Sequence, residues 1–330
     1  MIWLRSRRFD WSLQIGALAG IAPPLVLYAS FGTARASSCL PLASLVAIPF
    51  LHVFGSFFYA FSPERNRSAS SPRRLGAQWV LWAAAALGLS LALPRALATF
   101  ALLYGGWHIL RQNFGFLREL AHRSGLAQDP ALRRLDLAAC MAPAIALWLF
   151  VASRGPWRFI AADVYHAPVP SWLLGLAFAA IPATMLLRER ALAGRRASSR
   201  AGLLLLTGNC AALVGPTLLL SDLTLIYTLS ASFHGVQYLA YLAEREREAR
   251  PDLHPTGVLV PLASAIVLSM LAGSLTVAAV AWLFSPARAQ EAVLIGWYVI
   301  VPFHYFVDGR IWRRLPHQRA RHADPSFATP

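Results

Sequence analysis

Runs of about twenty apolar residues recur from one end of this chain to the other, each long enough to cross the hydrocarbon core of a bilayer as a helix. Hydrocarbon offers no water to backbone N–H and C=O groups, so a crossing segment must satisfy its own hydrogen bonds. A helix does that, and a lone strand does not. No stretch alternates apolar and polar residues with a period of two, which argues against an outer-membrane barrel. The charge is also too sparse for a soluble surface, because 14% of the residues are charged and 57% are hydrophobic. The sequence therefore predicts an all-α, polytopic transmembrane bundle of about ten helices.

The expected spans are Trp11–Phe31, Cys39–Phe61, Leu75–Leu93, Ala96–Leu117, Leu135–Ser153, Trp172–Leu187, Ala201–Leu220, Leu223–Leu242, Val258–Phe284 and Ala292–Val307. Arg5, Arg7 and Arg8 before the first run, and Ala34-Arg35-Ala36 after it, give that run some look of a signal peptide. It is too long for the usual apolar region of about 7–15 residues and is read as a helix. All 330 residues form one membrane domain, with Arg154–Ser171 an outer loop lying at the interface and residues 310–330 a basic cytoplasmic tail.

The net charge of +15 comes from 30 basic side chains, all arginine, set in short clusters between apolar runs. That spacing orients a membrane protein; it does not make a nucleic-acid surface. With the N-terminus inside, 24 arginines fall in cytoplasmic segments and five outside, while Arg111 is left within a helix. The split predicts both ends in the cytoplasm, and the arginine- and alanine-rich composition suggests a bacterial inner membrane. Cys39, Cys140 and Cys210 show no CxxC spacing and read as packing residues.

Nine histidines are present. His122, His166, His254, His317 and His322 lie in loops or the tail and read as solvated. His52, His108, His234 and His304 lie inside apolar spans, on helices two, four, eight and ten, all running from outside to inside. At 1.5 Å per residue, a histidine ten residues from the cytoplasmic end lies about 15 Å deep, which fits the first three. His304 is shallower and is the member expected to fall out of a common layer. A bulky residue precedes each histidine, and a polar group follows four positions later: Ser56, Gln112, Tyr238 and Asp308. Residues i and i+4 share a helix face. Each helix therefore presents an imidazole and a second polar group on one stripe, as ligands with orienting partners require.

One buried histidine is most simply an interhelical hydrogen bond, but four at similar depth on parallel helices point to one metal held by His52, His108, His234 and His304. Asp308, Gln112, Gln237 and Tyr238 are the polar groups expected to serve the chemistry, Asp308 as base or orienting carboxylate. Neutral imidazole suits iron, zinc or copper. A ligand set without cysteine argues against a structural zinc site, and two haems would need ligands at two depths. Non-haem iron is the expected cofactor, with haem or zinc as alternatives.

These four histidines, their flanking aromatics and the multi-pass frame resemble the retinal-forming β-carotene dioxygenases of the bacteriorhodopsin-related-protein type. The resemblance implies an all-helical membrane enzyme holding one iron through histidines on several helices. The proline-histidine-glycine-alanine-x-aspartate stretch of that family has no counterpart at His52, which is followed by Val53-Phe54-Gly55. The expected function is oxygen-dependent oxidation or cleavage of a lipophilic, carotenoid- or lipid-like substrate. A proton- or ion-coupled transporter and a haem b electron carrier are the competing readings.

Overall fold

The computed structural model describes residues 6–22, 72–159, 162–195, 200–249 and 298–309, with single residues 4, 25, 26, 29, 52, 53, 56 and 296. Among these the chain is helical apart from one short hairpin. The elements are α1 (Arg7–Ala19), α2 (Pro72–Ala92), α3 (Pro94–Arg123), α4 (Pro130–Arg154), β1 (Arg158–Phe159), β2 (Ala162–Asp163), α5 (Ser171–Gly194), α6 (Arg200–Leu219) and α7 (Leu223–Ala249). Residues 52, 53, 56 and 298–309 are also helical. The ninth expected span, Cys39, most of the second span and the basic tail lie outside the described residues.

The boundaries follow local chemistry. Pro94 and Pro130 occupy the first helical positions of α3 and α4, where the missing N–H costs nothing. The Asp129 carboxylate caps α4 by accepting from the amides of Ala131 and Leu132 at 2.9 and 3.0 Å. That amide of Leu132, joined by Arg195, holds the Asp129 carboxyl below the usual carboxylate range. Ser6 and Asp222 cap α1 and α7 in the same way. At the end of α3, Gly125 takes φ +71°, which lets Leu126 N–H return to the Ala121 carbonyl at 2.8 Å. α4, α5 and α6 run through Pro143, Pro182 and Pro216 without breaking into shorter elements.

Among the described residues four helices are long and apolar enough to cross a membrane: α2 (over Arg74–Ala92), α4, α5 and α6. α2 and α5 keep their apolar side chains on the outside, with Leu81 71%, Leu91 76% and Trp172 66% exposed. Water would penalise such surfaces and hydrocarbon would not. α3 and α7 are less apolar, and they are the helices that carry His108, Gln112, Asn113, His234 and Gln237 inward.

Two apolar clusters occupy opposite ends of α3. Leu97, Ala98 and Ala101 pack with Val151, Ile226 and Val301 at one end. Phe114, Phe116 and Leu117 pack with Leu13, Ala139, Leu205 and Tyr241 at the other. His108 lies on α3 between them. The expected interfacial loop folds over the first cluster, where Phe159 and Val164 are buried while Tyr165 is exposed. Arg95 on α3 lies over the Tyr165 ring at 4.7 Å and 3.3 Å from His166 Nδ1, which ties the loop down.

Candidate metal centre

The four span histidines converge. Their imidazoles form a closed four-sided arrangement, with centroid separations of 4.8 Å (His52–His234), 5.0 Å (His234–His108), 5.1 Å (His108–His304) and 4.7 Å (His304–His52). Neighbouring rings are close to perpendicular, whereas His52 and His108 across the diagonal are 6.3 Å apart and within 20° of parallel. All four residues are at least 96% buried, since their exposures run from 1% to 4%. His304, the expected outlier by depth, is fully part of the group.

The ring nitrogens face one another. His304 Nε2 lies 3.0 Å from His52 Nε2, and His234 Nε2 lies 3.2 Å from His108 Nε2. Asp308 Oδ2 is 3.4 Å from that same His108 Nε2. Atoms of His52, His108, His304 and Asp308 that could each ligate an ion all lie within 4.8 Å of one another, so the group could hold a metal. His234 joins through His108.

The donor chemistry tests that fit. A neutral imidazole has one N–H and one lone pair, so two facing Nε2 atoms can share at most one proton comfortably. Here His108 Nε2 faces a third group as well, a carboxylate oxygen. If the protons lie on Nδ1, lone pairs of His52, His108 and His304 and an anionic oxygen of Asp308 lie within 4.8 Å of one another, with that of His234 3.2 Å from His108, which is repulsive unless a cation is present. Ligand atoms around an ion with bonds of about 2.0–2.1 Å are separated by about 2.9–3.4 Å, tetrahedral or octahedral. The observed 3.0 and 3.2 Å fall in that range. The donor set fits an ion.

Three of the four polar groups expected one turn below the histidines join into a second layer. Tyr238 OH donates to Asp308 Oδ1 at 2.9 Å, and Ser56 Oγ stands 3.3 Å from Tyr238 OH. Ser56 also donates to the His52 carbonyl at 2.9 Å. This chain fixes one oxygen of Asp308 and leaves Oδ2 turned to the ring nitrogens, a placement compatible with an orienting, basic or directly ligating carboxylate. Gln112 and Gln237 do not join it. Gln237 Nε2 donates to Gln14 Oε1 on α1 at 3.0 Å. Both polar atoms of Gln112 are buried without a hydrogen-bond partner among the described residues. Arg111 lies over the Phe114 ring at 5.1 Å.

Sequence reasoning missed Tyr305. Its ring stacks on His108 with centroids 4.1 Å apart and planes 20° apart, and its hydroxyl bonds that of Tyr227. Tyr104 meets Tyr305 edge-on at 5.2 Å. Tyr305 directly follows His304, and one residue along a helix turns the side chain about 100° away. No i, i+4 pattern announces it. Tyr227 packs close against α3, since a Cβ at Gly105 would come within 2.6 Å of its hydroxyl.

Compared with family profiles, with characterised proteins and with solved structures, the chain matches none. What defines its class is therefore the site: a helical protein with a buried histidine and aspartate cluster able to hold a metal ion.

Proposed function

We propose that this is a ten-helix protein of the bacterial inner membrane, with both ends in the cytoplasm, that uses non-haem iron to oxidise or cleave a lipophilic, carotenoid- or lipid-like substrate with dioxygen. The observation that carries the reading is the buried group of His52, His108, His304 and Asp308, with ligand atoms within 4.8 Å of one another and His234 Nε2 3.2 Å from His108 Nε2. The arginine split supports the orientation, and the exposed apolar faces of α2 and α5 support the lipid surroundings.

A bound iron ion supplies the one-electron chemistry that dioxygen requires. The chain's own residues do the rest. The two apolar clusters exclude water from both sides of the histidine layer, Tyr238 holds the Asp308 carboxylate in place, and Asp308 Oδ2 is placed to take a proton. The stacked Tyr305 ring fixes the plane of His108. The Nε2 pairs at 3.0 and 3.2 Å leave no room for a porphyrin between their members, which favours a bare ion over haem b held by either pair. α4, α5 and α6 run unbroken through their prolines and so lack the interrupted helices of many transporters.

An absorption spectrum and oxygen-uptake assay of the purified protein test this. The expected result is no Soret band, with uptake stimulated by carotenoid or isoprenoid extracts. A Soret band, or ion flux in proteoliposomes with no oxygen use, overturns it.

A further inference from the structure

Beside the centre, a cavity opens between α3, α4, α6 and α7. Its mouth is formed by half-exposed Leu102 on α3 and by Leu147 and Trp148 on α4. Its floor is buried Ile109, Leu213 and Ile226. α4 and α6 are both long and apolar enough to cross a membrane, and the mouth at Leu147 and Trp148 lies about two turns inside the Arg154 end of α4, within that apolar run.

Three hydroxyls line the cavity, and each is engaged within the protein. Thr217 donates to the Leu213 carbonyl at 2.8 Å, Ser230 donates to the Ala212 carbonyl at 3.0 Å, and Tyr227 is bonded to Tyr305. Among the described residues no charged side chain lines the cavity, which disfavours a phosphate or other charged headgroup. The Tyr227 ring borders the cavity, and its hydroxyl meets Tyr305, whose ring lies flat on His108 at 4.1 Å. Ile109, in the floor, directly follows His108. The tyrosine pair is thus the partition between the cavity and the histidines.

We propose that this cavity is the subsite for the end of the substrate's hydrocarbon chain, a headgroup-free alkyl or isoprenoid lipid that enters sideways from the bilayer between α3 and α4. Walls that are apolar apart from the Trp148 indole and three engaged hydroxyls favour hydrocarbon over a charged headgroup. The inference rests on reading the histidine cluster as a centre that acts on a lipophilic substrate, and it names where that substrate lies.

Photolabelling of the full-length protein in nanodiscs tests it. One probe is a long-chain alcohol with a terminal diazirine; the other is a phosphatidylcholine carrying the same diazirine on an acyl chain. The alcohol should label Ile109, Leu213 or Ile226, while the phospholipid labels only outward faces. Leu213→Trp fills the floor and Leu147→Trp narrows the mouth; both should abolish the floor labelling with metal content unchanged. No floor labelling of the wild type, floor labelling by the phospholipid alone, or equal labelling in a folded Leu213→Trp protein overturns the inference. Floor labelling of a protein that holds no metal would leave the cavity standing and remove the metal centre. Metal without floor labelling would do the reverse.

Discussion

Arg188→Met should destabilise the fold by about 3–5 kcal/mol, the usual cost of breaking a buried ion pair from one side. Arg188 Nε donates to Asp136 Oδ1 at 2.7 Å, with Arg188 2% exposed and Asp136 fully buried. The guanidinium also meets Glu189 at 2.5 Å, and Arg118 reaches Asp136 Oδ2 at 3.5 Å. These contacts tie α3, α4 and α5 together. With methionine at 188, Asp136 keeps only the longer contact to Arg118 and remains a buried anion. Adding Asp136→Leu removes the stranded charge, so the double variant should recover much of the loss. Denaturant unfolding in detergent measures both steps. A single variant within about 1 kcal/mol of wild type, the range of an exposed pair, would show that this bridge is solvated.

His108→Ala should abolish metal retention, because His108 Nε2 is the atom that faces both His234 and Asp308. Asp308→Asn keeps the shape and the Tyr238 contact but removes the charge, and it should weaken retention or turnover about 10–100-fold, as loss of an orienting carboxylate does. His122→Ala is the comparison, since that exposed histidine lies at the far end of α3, roughly 21 Å along the helix from His108. Metal content after dialysis against a chelator reads all three. Full retention by the Asp308→Asn protein would reduce Asp308 to an anchor for Tyr238. Loss in His122→Ala as well would mean nonspecific binding.

The histidine centre was legible because a polar side chain inside an apolar run is conspicuous, three of them shared a depth, and all four had an i+4 companion. Helical spacing then placed Ser56, Tyr238 and Asp308 in one layer without any knowledge of which helices touch. The same pattern suggested Gln112 equally, yet it makes no hydrogen bond in that layer, because a shared stripe fixes a face and not a partner. Gln237 turns to Gln14, a contact across 223 positions that no local period encodes. Arg188 and Asp136 failed to stand out for the opposite reason. Each lies near the end of an apolar run, where a charge ordinarily marks the membrane surface, and only packing of α4 against α5 brings them together. Arg188 and Arg118 counted toward the orientation, and both serve ion pairs inside the bundle. The outer loop likewise showed aromatics suited to an interface, and nothing in its sequence said that Phe159 would pack 5.2 Å from Tyr227.

X-ray absorption spectroscopy of the purified protein, with the metal counted by elemental analysis, tests the centre most directly. One ion per chain should be found, bound by imidazole nitrogens at about 2.0–2.2 Å with the multiple-scattering signature of several rings. A protein that carries no stoichiometric metal, or an ion whose bound shell lacks imidazole, would contradict the assignment of His52, His108, His234 and His304 to one centre.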